Sequence, residues 1–255
     1  MSPMIHREDN GAIAVLRLDH GKVSALDLEL LEELEAVLAE VEGSDRAALV
    51  LTGTGSTFSA GVDLFRVLDG GEAYVARFVP ALSRALAALF TFPRPTVAAI
   101  NGHAIAGGCI LACACDVKVM ATGRGRIGVP ELRVGVPFPA AALEVLRFAV
   151  PRQHLPAMTY TGRTFLPEEA LDHGLVDELA APEQLRDRAL AAARGLTTIP
   201  PETFGLTKRQ LRGPALERMK AQGEEVDAKV EAIWSAPEIH RVIRDYLDRT
   251  IGKKG

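Results

Sequence analysis

Asn101-Gly102-His103-Ala104-Ile105-Ala106-Gly107-Gly108-Cys109-Ile110-Leu111-Ala112-Cys113-Ala114-Cys115-Asp116 is the stretch whose reading decides the fold. It follows a short apolar run, Thr96-Val97-Ala98-Ala99-Ile100, which reads as a buried strand. Small apolar residues after Gly107-Gly108 predict a helix enclosed on all sides. A glycine pair opening a buried helix lets backbone approach a ligand closely and leaves free N–H groups at its start. The helix dipole adds partial positive charge there, which suits an anion or a developing oxyanion. A tight turn that merely packs helix on sheet accounts for the same residues.

A second stretch favours the chemical reading. Leu49-Val50-Leu51-Thr52-Gly53-Thr54-Gly55 ends a predicted strand, and Ser56-Thr57-Phe58-Ser59-Ala60-Gly61-Val62-Asp63-Leu64 follows. Small residues again come directly after a strand. Two sources of exposed backbone amides are what a two-donor oxyanion hole requires. Here the chain resembles the crotonase (enoyl-CoA hydratase/isomerase) superfamily. The residues that carry the resemblance are Phe58 to Leu64, Asn101 to Ala104, Ala106 to Cys109, Asp116, Pro130-Glu131 and Gly135. Thr161-Gly162-Arg163, Glu169-Ala170 and Gly174-Leu175-Val176 extend it over nearly the whole chain.

Composition sets the outer bounds. At 255 residues the chain can bury a full core. Hydrophobic residues at 48%, charged residues at 24% and a net charge of −4 give no argument for nucleic acid or an anionic membrane as partner. No N-terminal stretch reads as a signal peptide and no apolar run reads as a membrane span, so a cytoplasmic protein is expected. Cys109, Cys113 and Cys115 lie within one predicted helix, and no His completes a zinc set beside them. They read as buried thiols in a reducing compartment.

In chain order, Ile13 to Leu18 alternates like a strand, and Asp27 caps a helix that Gly43 stops. Ala47 to Leu51 is the next strand. This alternation predicts parallel βαβ units, an α/β fold. Asp69-Gly70-Gly71 reads as a turn before a helix over 72–90. Asp116 to Met120 is a strand, and Ile127 to Pro130 a loop that delivers Glu131. Helices are expected over 140–149, 167–173, 182–194, 202–212, 214–233 and 237–250. The resemblance implies a spiral of ββα units in residues 1–199. It implies that helices in 200–255 build a homotrimer, or a hexamer of two trimers, and Leu216, Met219, Val226, Val230, Ile233 and Trp234 are expected in that interface.

The resemblance also implies the chemistry. The substrate is an acyl-CoA thioester, coenzyme A arriving as part of it, with no separate cofactor and no metal. The thioester oxygen is held by the backbone amides of Ala60 and Gly107. Lys22, Ala25, Ser59, Ala60, Val62, Asp63, Leu64, Gly108, Ile110 and Phe138 are expected around the substrate, and Phe65, Leu68, Tyr74 and Phe78 about the acyl pocket. Lys208 and Arg209 are candidates for a CoA phosphate. Glu131, set among Ile127, Val129, Leu132 and Val134, is the expected base. An apolar setting raises a carboxyl pKa, which suits a group that takes and returns a proton.

One departure from the family pattern sets the reaction. Hydratases of the family carry a second glutamate directly after Gly-Gly-Cys, where this chain has Ile110. Isoleucine cannot orient or deprotonate water, so enoyl-CoA double-bond isomerisation with Glu131 as proton shuttle is expected. The alternatives are a hydratase using Glu131 with a substitute acid such as Glu72, and a non-catalytic acyl-CoA or RNA-binding relative. The charge balance argues against RNA. The dinucleotide fingerprint fails because Phe58 stands where glycine is needed.

Overall fold

Four times in succession the chain runs strand, strand, helix, and each turn of the resulting spiral stacks on the one before. The computed structural model describes residues 3–251. An N-terminal strand β1 (Ile5–Asn10) precedes the first turn, β2 (Ile13–Leu18), β3 (Ala25–Leu26) and α1 (Leu28–Glu42). The second turn is β4 (Ala48–Thr52), the broken pair β5 (Thr57–Ser59) and β6 (Gly61–Val62), then α2 (Leu64–Thr91). The third is β7 (Thr96–Ile100), β8 (His103–Ile105) and α3 (Gly107–Ala114). The fourth is β9 (Val117–Ala121), β10 (Ile127–Gly128) and the short α4 (Glu131–Val134). Then come α5 (Ala140–Ala149), α6 (Leu155–Thr161), β11 (Thr164–Phe165), α7 (Pro167–Asp172), β12 (Glu178–Ala180), α8 (Leu185–Leu196), α9 (Pro201–Trp234) and α10 (Pro237–Ile251).

First strands of the turns line up in one sheet, ordered β1-β2-β4-β7-β9-β12 and parallel except where β1 meets β2. Second strands form a smaller sheet, β11-β10-β8-β5, while β3 pairs β6 in parallel. The expected α/β spiral of ββα units is therefore the fold. β7 is wholly buried because helices cover both faces of the large sheet. One face meets α1, α2 and α3, with Leu34, Leu86 and Leu111 in a common core. The other meets α8 through Val15, Val50, Val97 and Leu190.

Several expected boundaries move. The helix expected from residue 72 forms, and a further helical segment not expected precedes it from Leu64, because the Asp63 carboxylate accepts from the amides of Phe65 and Arg66 and caps it. The two segments of α2 meet at the expected turn, a kink at Gly71, whose φ of 56° glycine adopts readily. By length and composition this helix could cross a membrane, contrary to the sequence expectation. It is a core helix, burying Phe78, Leu82, Leu86 and Leu89. α9 runs unbroken through Pro214, where two helices were expected. Arg212 and Ala215, buried on either side, hold it in register. Glu131 opens a helical turn instead of ending a loop, and α6 was not foreseen.

Residues beyond 199 do not form a core of their own. Ala215, Val230, Trp234 and Ile243 join the main core, and Leu216, Met219 and Val226 pack against it. Much of the apolar face expected in a subunit interface is thus covered by its own chain. Lys208, a candidate for a CoA phosphate, has its ammonium engaged within the fold. Lys208 is buried, bonded to Asp116 at 2.7 Å and to the Arg94 carbonyl at 3.2 Å. Arg212 lies beside it, bonded to the other Asp116 oxygen at 2.7 Å and to the Ala114 carbonyl at the end of α3. Burial lowers the Lys208 pKa to about 8 despite the neighbouring carboxylate.

Candidate active site

The functional groups sit at equivalent places: where the second strand of each turn passes into its helix. Spiral stacking brings these junctions side by side. At the first junction Asp27 caps α1, its carboxylate accepting from the Leu30 amide at 2.9 Å, and at the second Asp63 caps α2. At the third the capping position holds Ala106, which has no side-chain oxygen to offer. The first amides of α3 therefore lack the cap that the first two junctions supply. The site is open to an incoming acceptor.

Backbone contacts place the second and third junctions against each other. A Cβ on Gly61 would lie 2.5 Å from the Ile105 carbonyl and 2.9 Å from the Gly107 nitrogen, so no side chain fits there. A Cβ on Gly107 would come within 3.8 Å of a Val62 methyl. Ala106 is held at φ 53°, ψ −126°, with its N–H bonded to the Gly128 carbonyl at 2.8 Å. A residue with a Cβ is strained in that conformation by about 1–3 kcal/mol, a cost that tends to concentrate at functional sites. Ala106→Gly should therefore raise stability by about 1 kcal/mol after glycine's entropic cost, with activity retained. Urea unfolding checks this; a loss of stability would mean Ala106 is not strained.

The Ala60 amide, expected as an oxyanion donor, is already engaged. It donates to the Val23 carbonyl at 3.0 Å. Three residues on, the Asp63 amide donates to the Leu26 carbonyl at 2.9 Å, next to the β3–β6 pairing. Successive residues of a strand direct their N–H groups to opposite sides, so the Val62 amide faces away from β3. Val62 lines the cavity in front of α3. The geometry makes Val62 the candidate donor on this side, with Gly107 as the second candidate.

Glu131, at the fourth junction, is 7% exposed, and among the described residues nothing hydrogen-bonds its buried Oε2. Burial raises its pKa to about 8, and its own backbone amide offsets only part of that rise. The cavity it faces is lined also by Ala60, Val62, Leu64, Ile105, Ala106, Pro130, Val134, Val136, Trp234 and Tyr246. Among the described residues Glu131 is the one carboxylate in that lining. A longer groove adjoins it and shares Ala60, Val62, Leu64 and Tyr246. His20, Gly21, Lys22, Val23, Ala25, Asp63, Phe65, Leu247 and Thr250 complete the groove.

Of the residues expected around a substrate, Lys22, Ala25, Ala60, Val62, Asp63 and Leu64 thus come together. Four do not. The Ser59 hydroxyl is buried, donating to the Ser24 carbonyl at 2.7 Å and accepting from the Gly61 amide at 3.2 Å. A Cβ on Gly108 would meet the Ser59 carbonyl at 2.3 Å, so that glycine serves close packing of α3 on β5. Ile110 is buried in the core and absent from the cavity wall, and Phe138 packs on the core from outside it. Tyr246 and Trp234 were not foreseen. They come from α10 and the end of α9, more than a hundred residues from Glu131, and no local pattern marks them.

Comparison with known proteins identifies the family. The family model described as enoyl-CoA hydratase/isomerase matches residues 8–250. The chain is 28% identical to the human mitochondrial enoyl-CoA delta isomerase 1 over 255 residues, covering 99% of this chain and 84% of that protein. A putative enoyl-CoA hydratase of Thermus thermophilus is 36% identical over 209 residues, 80% of this chain and 81% of that one. Among solved structures, human mitochondrial delta3-delta2-enoyl-CoA isomerase superposes with a TM-score of 0.95 at 29% identity, over 99% of this chain and 100% of the other.

Proposed function

The chain belongs to the enoyl-CoA hydratase/isomerase family, and we propose that within it this protein moves the double bond of a 3-enoyl-CoA thioester to the 2-position. One observation carries the reading: among the described residues Glu131 is the sole carboxylate in a cavity otherwise walled by apolar side chains and Tyr246. Hydration requires a held and deprotonated water; a double-bond shift requires one base beside the α- and γ-carbons.

In the proposed reaction the Glu131 carboxylate takes a proton from the α-carbon. The released electron pair moves onto the thioester oxygen, where the amides of Val62 and Gly107 hold the dienolate. Donors aimed at such an oxygen are worth about 3 kcal/mol of barrier each. Glu131 then returns the proton to the γ-carbon, and the conjugated thioester forms. The acyl end occupies the cavity, and the coenzyme A moiety runs along the groove past Ala25 and Lys22. These groups and the substrate's own thioester complete the chemistry without a separate cofactor. The test is to follow both reactions on one preparation. Conversion of 3-hexenoyl-CoA is expected to exceed hydration of 2-hexenoyl-CoA by at least about a hundredfold, the usual scale of one missing acid–base group. Faster hydration would replace this reading with the hydratase one.

We also infer assembly into a homotrimer or a hexamer of two trimers. Leu206 and Leu211 on α9 stand exposed and support a further contact of that helix, though Val230 and Trp234 are buried at home. Light scattering at micromolar concentration checks this, and a stable monomer would contradict it. Three buried, unbonded cysteines support a reducing compartment, the cytoplasm in our reading.

A further inference from the structure

We propose that Trp234 is the residue that limits acyl-chain length, closing the cavity so that the protein takes short acyl thioesters and excludes long ones. The inference rests on the cavity being the acyl site. Trp234 lines that cavity and is only 2% exposed. Its ring nitrogen donates to the Pro137 carbonyl at 3.0 Å, which fixes the indole against rotation. Behind it the ring stacks on Phe78 at 6.1 Å, and Phe78 stacks on Tyr74 at 5.6 Å. Phe78 is fully buried, so the space a longer chain would need is occupied by aromatic side chains held from α2.

Size points the same way. The cavity encloses about 70 Å³. Pockets that hold whole small ligands start at roughly 300 Å³. It therefore suits the reacting end of a chain and little more, while the rest of the thioester lies in the groove outside. Interiors packed at this density do not open without moving a side chain. The side chain in the way is a hydrogen-bonded tryptophan, a less adaptable wall than methionine or leucine.

Binding of saturated acyl-CoAs from butanoyl to dodecanoyl, measured by calorimetry, tests the inference without requiring turnover. Hexanoyl-CoA is expected to bind at least about tenfold tighter than dodecanoyl-CoA, a difference of about 1.4 kcal/mol. In Trp234→Phe and Trp234→Ala the gap should shrink to less than about threefold. The alanine variant removes a large core side chain and carries a folding risk; the phenylalanine variant keeps the stack on Phe78. Equal affinity for both lengths in the native protein would overturn the inference. So would an unchanged gap in folded Trp234→Phe. A length break in a protein that converts no 3-enoyl thioester would count against the proposed reaction alone and leave this inference standing.

Discussion

Glu131→Gln should lower isomerase turnover by at least about a hundredfold, since a positioned acid–base group supplies roughly 10²–10⁴ in rate. Glutamine keeps the size and polarity of the side chain but cannot take a proton. Affinity for a saturated acyl-CoA should stay within a few-fold of native, because the amides of Val62 and Gly107 are backbone groups that the substitution leaves in place. The native pH profile carries the same information. With its pKa raised to about 8, Glu131 is the protonated, inactive form at lower pH. Then kcat/KM should climb about tenfold per pH unit below that value and level off above it. Near-native turnover by a folded Glu131→Gln protein would remove Glu131 from the mechanism.

The same carboxyl predicts a stability effect of definite sign. Its ordinary pKa is 4.5, and burial raises it to about 8 in the folded protein. Between those values the folded state holds a proton that the unfolded chain has released. Stability from this group is therefore complete below about pH 4.5 and is lost as pH rises through about 8. The loss is on the order of a few kcal/mol. Glu131→Gln has no such loss and should gain on native protein from pH 5 to about pH 8 in thermal melts, with the gain levelling off above that. The site is built at some cost to the fold, as stability–activity trade-offs lead one to expect.

The largest structural effect is expected at Asp116. Its carboxylate accepts from Lys208 and Arg212, each at 2.7 Å, and from the Thr96 amide at 2.8 Å and hydroxyl at 2.9 Å. Both cations are buried. Asp116→Ala would leave two buried positive charges without their partner, and breaking such a cluster on one side costs about 3–5 kcal/mol. For a chain of this size that lowers the melting temperature by roughly 6–20 °C. The exposed Lys229–Glu225 pair is the internal control: Lys229→Ala should move stability by less than about 1 kcal/mol. Equal effects at the two sites in urea unfolding would contradict this account. Because Arg212 also bonds the carbonyls that end α3, the cluster ties the C-terminal helices to the element whose other end carries the proposed oxyanion donor.

Local rules carried the sequence reading as far as they reach. β7 and α3 were legible because an all-apolar run and a glycine pair state their burial in a few residues. Glu131 stood out through the Pro130-Glu131 match to the family pattern, its apolar neighbours alone being insufficient. We place the donor at Val62 rather than at the expected Ala60, because the choice depends on which amides the Val23–Leu26 segment takes. No pattern within Phe58 to Leu64 reports that. Asp69-Gly70-Gly71 marks the kink at Gly71, since breaker residues report local breaks, while the helical segment from Leu64 before it was not legible. Pro214 looked like a helix end for the same reason and was overridden by Arg212 and Ala215. Trp234 and Tyr246 reach the cavity only through the return of α9 and α10 over the core, a contact of long sequence separation.

The central claim is that one dry carboxylate carries the proton from the α- to the γ-carbon. A 3-enoyl-CoA with deuterium at the α-carbon, converted in ordinary water, tests it most directly. Glu131 is nearly inaccessible to solvent and its cavity wall is apolar. The 2-enoyl-CoA product, read by mass spectrometry and NMR before re-equilibration, should therefore carry a substantial share of the label at its γ-carbon. Complete loss of the label to water with γ-protonation from solvent, or a 3-hydroxyacyl-CoA as the main product, would contradict it.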